Sequence, residues 1–356
     1  MENKHSAKLS ESSLNTLAQS KTGYNTHNIC YPLIISGHGT ELNNKDAMQR
    51  RAKRKMITQS TVLSLIKVAE ERGATERGKS YWNTYHCQNR IYKVDGKLYG
   101  KYCKNRFCTL CCAIRKAELI NKYLPVIRTW TDPQFLTLTI KSVSAERLSV
   151  IMRKMVQGFQ IIKAKYSKKN QRGQANKLIG IRSLECNFNP KRKTYNPHWH
   201  FILPDKNTAD LILQEWMQLW NRKQKKWTHE DAQYVRPVKS SEKDLVEVIK
   251  YGAKIFSDPE GRKRPPKGSK RMIYALALDN IYCAMKGLRL FERFGFNVPA
   301  IKKNSLPSRV VTDYEEWIYS VNKRSWINEH EETLFKFYPS LNLLDLLEYN
   351  IDITIQ

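Results

Sequence analysis

The chain has 356 residues, and 41% of them are hydrophobic, which is too many for a chain that is disordered throughout. Its 62 Lys and Arg against 33 Asp and Glu give a formal net charge of +29, so nucleic acid is the expected partner and a cationic membrane-surface protein is the main alternative. No stretch approaches about 18 consecutive apolar residues and the first residues lack a secretory apolar core, which predicts a soluble intracellular protein.

Residues 1–80 are polar and basic and are predicted to form an N-terminal arm that is partly flexible. Helical periodicity is visible over residues 55–71. A run of basic side chains at the centre of this segment is predicted to contact DNA through Arg50, Arg51 and Arg54, although such a run can also be a solvated helix face.

A group of cysteines marks a second region, residues 81–125. Four of them follow the spacing C-x15-C-x4-C-x2-C: Cys87, Cys103, Cys108 and Cys111. Two thiolates from a Cys-x2-Cys knuckle and two from a hairpin can hold one tetrahedral Zn²⁺, and a turn at residues 95–97 lies midway between the first two cysteines. The region is therefore predicted to be a small structural zinc module. His86 could replace Cys87, and Cys112 is predicted to be spare.

Residues 126–300 are predicted to form a larger domain built on a sheet. An alternating run over residues 133–140 indicates a buried strand, and Ser144 can cap the amphipathic helix that follows. Two further strands, at residues 177–188 and 197–204, flank a polar turn and indicate an antiparallel hairpin.

Two histidines and one glutamate in this hairpin form a candidate metal site. His198 and His200 lie two residues apart in a strand, so their imidazoles point to the same face of the sheet. Glu185 is unusual in an apolar strand, and folding the hairpin brings it alongside the histidines. Two nitrogens and one hard oxygen would hold a divalent ion and leave positions for water and a phosphate oxygen.

Three polar side chains share one face of a helix predicted over residues 241–256. At about 100° per residue, Glu247, Tyr251 and Lys254 fall within roughly 60° of one another. A phenol with an ordinary pKa near 10 is a weak nucleophile at neutral pH, but a metal ion that polarises a phosphodiester could make its attack effective. Lys254 could stabilise the phenolate or the phosphate. The pattern thus predicts a tyrosine that forms an ester with a DNA end.

Three motifs in this order resemble those of the HUH endonucleases: FLTLT at 135–139, NPHWH at 196–200 and EVIKYGAK at 247–254. They are most similar to the single-tyrosine branch of the rolling-circle replication initiators of small bacterial plasmids. The family commonly has a histidine where this chain has Asn196. The resemblance implies an HUH endonuclease fold, a catalytic Mn²⁺ or Mg²⁺, and nicking by Tyr251 through a 5′-phosphotyrosine intermediate. It also implies that Glu247 activates water.

The same resemblance implies plasmid origin DNA as the partner, as a single strand or an extruded hairpin, together with a host helicase in the bacterial cytoplasm. The sequence does not decide whether the protein binds DNA as a monomer or as a homodimer. A transposase or relaxase would use the same chemistry, whereas a zinc-containing regulator would bind DNA without cutting it. Basic side chains are predicted to contact DNA at these positions: Arg50, Arg51, Arg54, Arg106, Arg115, Lys191, Arg192, Lys193, Arg262, Lys263 and Arg264.

The predicted fold class is α+β, with a central antiparallel sheet and packed helices. The zinc module precedes this domain, and residues 301–356 are predicted to follow it as a helical C-terminal tail. Further helices are expected at residues 208–222 and 272–294.

Overall fold

The structure, a computed structural model, describes residues 32–35, 39–42, 44–222, 226–249, 270–298 and 308–339. The helices of this part are α1 (Lys45–Glu71), α2 (Thr75–Tyr85), α3 (Thr109–Ile127), α4 (Ala145–Gln171), α5 (Lys206–Trp220), α6 (Ser241–Ile249) and α7 (Lys270–Met285). The strands are β1 (Leu33–Ile35), β2 (Thr40–Glu41), β3 (Arg90–Val94), β4 (Lys97–Gly100), β5 (Gln134–Thr139), β6 (Gly180–Asn189), β7 (Thr194–Leu203), β8 (Tyr234–Pro237), β9 (Phe291–Phe294), β10 (Arg309–Val311), β11 (Glu315–Ser320) and β12 (Ser325–Ile327). All pairings between these strands are antiparallel, which confirms the predicted α+β class.

A five-stranded sheet in the order β8-β5-β7-β6-β9 forms the larger of the two folded regions. β6 and β7 make the predicted hairpin, and their register places Glu185 opposite His198. β5 lies on the other side of β7 and pairs Thr137 with His200 and Thr139 with His198. Because side chains alternate along a strand, these five residues share one face of the sheet.

Helices cover both faces of this sheet. On one face, α4, α5 and α7 form a large apolar cluster around Trp199 and Phe201. The stripe predicted on α4 is buried there, as Leu148, Met152, Met155, Phe159 and Ile162. On the opposite face, α3 and α6 pack against Phe135, Ile181 and Ile202. By strand alternation, this second face is the one that carries His198 and His200.

The helix predicted over residues 272–294 is wrong in its last part. α7 ends at Met285, and Gly287 then adopts a φ of +79°, a conformation that ends a helix readily only at glycine. The following residues form β9, in which Phe291 pairs with Ser183 of β6 and Phe294 is buried in the core. Pairing with the edge of β6 and burial of Phe294 in the adjacent apolar cluster stabilise the strand. These two effects outweigh the helical periodicity of the sequence.

The predicted N-terminal arm is folded over residues 45–85, as α1 and α2. The two helices bury Leu65 and Tyr81 completely. They are joined to α7 by the carboxylate of Asp279, which accepts from Arg72 at 2.5 Å, from Arg77 at 2.9 Å and from the Tyr81 hydroxyl at 2.7 Å. The domain boundaries proposed from the sequence stay predictions.

The C-terminal tail is not helical over the described residues 308–339, which contradicts the prediction. β11 and β12 instead complete a second five-stranded sheet in the order β12-β11-β3-β4-β2. Trp317 and Tyr319 alternate into the core of this sheet, while Ile318 between them is exposed. Two acidic residues of β11 pair with basic side chains of β3, with Glu315 2.5 Å from Lys93 and Glu316 3.1 Å from Arg90.

Candidate active site and metal centres

Glu185, His198 and His200 form one compact group, here called the His-Glu cluster. Their ligand atoms all lie within 4.8 Å of one another. The Nε2 atoms of both histidines are 3.6 Å from the same carboxylate oxygen, Oε2 of Glu185. The juxtaposition predicted from the hairpin register is therefore confirmed.

Contacts on the far side of each imidazole aim the ring nitrogens at the carboxylate. Nδ1 of His198 lies 3.0 Å from the carbonyl oxygen of Asn196, and since a carbonyl only accepts, this nitrogen carries the proton. Nδ1 of His200 lies 3.0 Å from the Thr137 hydroxyl. A neutral His198 held in this way presents an unprotonated Nε2, which is the form that binds a metal.

The donor set fits a divalent metal. Glu185, His198 and His200 are 3%, 5% and 7% exposed, and a carboxylate at that depth is costly unless a positive charge offsets it. The two imidazoles and one carboxylate could hold an ion at three positions and leave others open. Mn²⁺ and Mg²⁺ both prefer oxygen ligands, which the Glu185 carboxylate and the open positions could supply, so the donor set does not distinguish the two ions.

Asn196 stands two residues before His198 in β7. Its amide donates to the Thr139 hydroxyl and to the carbonyl of Ile140, each at 3.1 Å. The side chain thus ties β7 to β5 beside the cluster. Sequence reasoning noted the departure at this position but missed the bridging role, and it also missed Thr137 as the partner of His200.

The first nine residues of the predicted tyrosine helix form α6. Leu245 and Val248 are fully buried against the sheet face that carries the His-Glu cluster, while Glu247 is half-buried. Asp244 near the start of α6 accepts from the Arg236 guanidinium at 2.5 Å and from the backbone N–H of Lys239 at 2.9 Å. This pair fixes the start of the helix on β8, and its only signal in the sequence is an acidic residue in a first helical turn.

Several predicted site residues lie outside the described part of the chain. They are Tyr251, Lys254, Arg262, Lys263 and Arg264. Their predicted roles therefore rest on the sequence alone.

Four cysteines converge at the junction of α2, β4 and α3 and are here called the cysteine cluster. They are Cys87, Cys103, Cys108 and Cys111, and their sulfur atoms lie within 4.8 Å of one another. Sγ of Cys111 is 3.7 Å from Sγ of Cys87 and 3.6 Å from Sγ of Cys103. Zn–S bonds of about 2.3 Å in a tetrahedron separate sulfur atoms by about 3.8 Å, so the cluster fits a structural Zn²⁺.

Backbone N–H groups support the thiol groups of this cluster. Those of Asn105 and Cys111 point at the sulfur atoms of Cys103 and Cys108, at 3.4 and 3.5 Å. Hydrogen bonds from Cys108 and Cys111 lower the pKa of Cys103, and the thiol bonds led by Cys103 raise the pKa of Cys87. The two backbone N–H groups favour the thiolate form of the sulfurs they point at, which is the form that binds a metal.

The two alternatives left open in the sequence are settled by the positions of the side chains. The His86 ring contacts Asn89 and stacks on Trp82, and it is not among the ligand atoms of the cysteine cluster. Cys112 donates through its thiol to the carbonyl of Arg106 at 3.0 Å. Cys87 is therefore the fourth member of the cluster, and Cys112 is spare, as predicted.

Lys55 of α1 lies fully buried beside the cysteine cluster. Its ammonium donates to the carbonyl oxygens of Tyr85 at 2.7 Å and Cys87 at 2.8 Å, and to the Asn89 side chain at 2.5 Å. Burial lowers the pKa of Lys55 to about 8, an effect that the neighbouring thiols of the cluster oppose. The side chain therefore fastens α1 to the segment that carries the first cysteine.

Replacing Lys55 with methionine is expected to destabilise the fold by about 3 kcal/mol, because several buried acceptors lose a charged donor. Urea unfolding measures the stability, and a chromogenic chelator measures the rate of zinc release, which should rise. Lys53→Met, an exposed neighbour on the same helix, is the control. If the two variants unfold and release zinc alike, the fastening role of Lys55 is wrong.

A family model described as "Replication protein" matches residues 97–323. The chain belongs to the replication protein family. The matched region begins in β4 and ends just after β11, so it includes the central sheet, the His-Glu cluster and parts of the second sheet. The predicted resemblance to plasmid replication initiators is thereby confirmed, while the single-tyrosine branch and the HUH endonuclease fold stay predictions.

Curated relatives of this replication protein share the name "Protein rep". The protein from Bacillus amyloliquefaciens is 34% identical over 170 residues, which cover 43% of this chain and 48% of that protein. The one from Staphylococcus aureus is 32% identical over 182 residues, 47% of this chain and 73% of that protein. For a Bacillus species the identity is 32% over 164 residues, 43% of this chain and 51% of the relative. The matched part thus spans about half the length of the first and third of these relatives. No solved structure matches the chain.

The basic residues predicted to contact DNA differ in their exposure in the replication protein. Exposed side chains are those of Arg50, Lys191, Arg192 and Lys193. Arg54, Arg106 and Arg115 are half-buried, and the last two donate to backbone carbonyls. Arg51 is only 6% exposed and donates to Gln88, so it serves the fold rather than a phosphate. Within the described residues, no helix has the length and apolar character of a membrane span.

Proposed function

We propose that this protein starts rolling-circle replication of a plasmid by nicking one strand of origin DNA and later joining it. The observation that carries the proposal is the His-Glu cluster on the sheet face against which α6 packs, since the third motif continues from α6 to Tyr251. Membership of the replication protein family supports the same conclusion.

The chemistry is a transfer of one phosphodiester to another ester. The phenolic oxygen of Tyr251 attacks the phosphorus, the bond to the 3′-oxygen breaks, and the proton released by the phenol is matched by the proton that the new 3′-hydroxyl takes up. The 5′ end is left as a phosphotyrosine. Because an ester replaces an ester, the bond energy is kept and the strand can be joined again.

A divalent ion bound by Glu185, His198 and His200 would supply Lewis-acid stabilisation of the charge on the phosphate. We propose Mn²⁺ or Mg²⁺, since the Glu185 carboxylate and the open positions would supply the oxygen ligands that both ions prefer. The Thr137 hydroxyl and the backbone carbonyl of Asn196 hold the two imidazoles in place. Lys254 is proposed to stabilise the phenolate or the phosphate.

Glu247 is proposed to activate water at the end of a replication round, which would release the protein by hydrolysis. Its position on the half-buried side of α6, next to the residues that pack on the sheet, supports a place near the His-Glu cluster. The proposed partner is origin DNA as a single strand or an extruded hairpin. A host helicase is proposed to separate the strands ahead of the new 3′ end. The proposal holds for one copy of the protein on the DNA or for a homodimer.

The decisive experiment incubates the protein with a labelled single-stranded origin oligonucleotide and Mn²⁺. We expect a covalent adduct that survives denaturant, and we expect Tyr251→Phe to lose it because a phenyl ring has no nucleophilic oxygen. Tyr234→Phe, at an exposed tyrosine on β8, is the matched control and should retain the adduct. An adduct formed by Tyr251→Phe would refute the nucleophile, and no adduct from the unaltered protein would favour a non-cutting regulator.

A further inference from the structure

A groove runs along the start of α4, on the face of the central sheet opposite the one that carries the His-Glu cluster. A cavity of about 580 Å³ lies between α4 and the end of α5. A second cavity of about 440 Å³ follows the segment after β5. Arg147 and Trp227 line both cavities, so together they form one surface, here called the Trp227 groove.

The lining of the Trp227 groove is strongly basic. Its charged side chains are Lys141, Arg147, Lys154, Arg222 and Lys226, with Glu146 as the one carboxylate among the described lining residues. These basic side chains are exposed to solvent rather than buried in the core. An excess of four positive charges in one concave surface favours a ligand with several negative charges.

Two tryptophans give the groove an aromatic wall. Trp227 is half-buried, and the Arg147 guanidinium stands 5.3 Å from the centroid of its ring. Trp220 lies 6.2 Å from Trp227 in an edge-on arrangement and is itself buried, so it holds the outer indole in position. Cations beside an aromatic ring are the combination that binds single-stranded nucleic acid, since phosphates pair with the cations and a base stacks on the ring. Bases in a duplex are stacked on one another and do not offer a free face.

The groove begins close to the His-Glu cluster. The backbone N–H of Lys141 donates to the carbonyl of Trp227 at 2.8 Å, and the Thr228 hydroxyl donates to the carbonyl of Thr139 at 2.8 Å. Thr139 pairs with His198. Two residues of extended chain from Thr139 to Lys141 span about 7 Å, so a strand of DNA with one phosphate at the cluster could pass round the end of β5 and enter the groove within a few nucleotides.

We propose that the Trp227 groove binds single-stranded DNA beside the nicked phosphate, with a base stacked on Trp227 and backbone phosphates held by Arg147 and Arg222. The location of these nucleotides relative to the nick rests on the proposed function. The groove's affinity for single strands rests on its own charge and aromatic lining.

The first test compares two double variants that remove the same charge. Arg147→Ala with Arg222→Ala alters the groove, whereas Arg153→Ala with Lys168→Ala alters exposed positions of α4 outside its lining. Anisotropy with a fluorescent oligo-dT of about 20 nucleotides, without added Mn²⁺, measures binding across a salt series. The groove variant should bind roughly ten- to thirtyfold more weakly at 0.1 M salt, and its log–log salt slope should fall by about 1.4, while the control stays near the unaltered protein. Equal binding by the two variants would overturn the proposal.

The second test concerns the stacked base. An oligo-dT that carries 5-iodouracil is expected to crosslink under ultraviolet light to the peptide containing Trp227. Trp227→Ala should weaken binding roughly 5- to 150-fold, and Trp227→Phe should retain most of it. If the alanine variant fails to fold, the phenylalanine variant and the crosslink still decide. Crosslinks elsewhere only, or a loss confined to duplex DNA of the same length, would refute a single-strand site.

The adduct assay separates this proposal from the proposed function. If the groove variants lose binding and the unaltered protein forms no adduct, the groove stands and the nicking proposal fails. If the adduct forms and the groove variants bind oligo-dT like the control, only the groove proposal fails. With both correct, the Arg147→Ala, Arg222→Ala variant forms the adduct slowly at low oligonucleotide concentration and recovers at saturation.

Discussion

Replacing His198 and His200 together with alanine is expected to slow formation of the covalent adduct by about 10³-fold or more. The change removes two of the three ligands of the His-Glu cluster, and a bound metal contributes several kcal/mol to the stabilisation of a phosphoryl transition state. Adduct formation is measured on a denaturing gel over a titration of Mn²⁺. The variant should also lose the saturable dependence of the rate on the ion.

His229→Ala is the matched control, because this histidine is exposed and lies outside the cluster. It should leave the rate and the Mn²⁺ dependence unchanged. Persistence of a normal Mn²⁺ dependence in the double variant would show that the ion binds elsewhere. A loss of activity with a changed circular dichroism spectrum would instead indicate damage to β7, and the single variant His200→Gln then repeats the test with less change in volume.

Asp279→Ala is expected to destabilise the protein by about 3 kcal/mol, the largest effect on folding that we expect from an exchange of one carboxylate. The Asp279 side chain is fully buried and accepts from Arg72, Arg77 and Tyr81, so its removal leaves two cationic groups and a buried hydroxyl without their acceptor. Breaking one side of a buried ion pair costs about 3–5 kcal/mol, and the partial exposure of the two arginines places the effect at the lower end.

Urea unfolding measures this effect, and limited proteolysis of α1 and α2 should show faster cleavage in the variant. Asp210→Ala is the control, since Asp210 forms an exposed pair with Lys206 one helical turn away. Such a pair contributes at most about 1 kcal/mol. An Asp279→Ala variant no less stable than this control would mean that the carboxylate makes no net contribution to holding the N-terminal helices on α7.

The parts of the site that lie close together in the sequence were predictable. Strand alternation places His198 and His200 on one face, and a tight hairpin leaves few registers, so Glu185 could be assigned beside them. The spacing of the four cysteines likewise predicts a single site. In each case the geometry follows from local rules of strands, turns and knuckles.

The errors concern segments whose partners are distant in the sequence. Residues 291–294 have helical periodicity in isolation, and the edge of β6, about a hundred residues earlier, makes them a strand. The tail strand β11 pairs with β3, which precedes it by more than two hundred residues. Local patterns carry no information about such partners, so tertiary context overrides them. The same reason explains Arg51, which was predicted to contact DNA but lies buried beside Gln88, and Lys55, whose buried ammonium contacts the carbonyl of Cys87.

The pairing of β11 with β3 has a consequence for synthesis of the protein. The Trp326 indole donates to the carbonyl of Gln88, next to the first residue of the cysteine cluster, and the backbone N–H of Tyr319 donates to the carbonyl of Asn89. These contacts cannot form on the ribosome until residue 326 has left the exit tunnel. The central sheet, whose strands all precede residue 295, has by then emerged. The central sheet can therefore fold first, and the sheet beside the cysteine cluster is completed last.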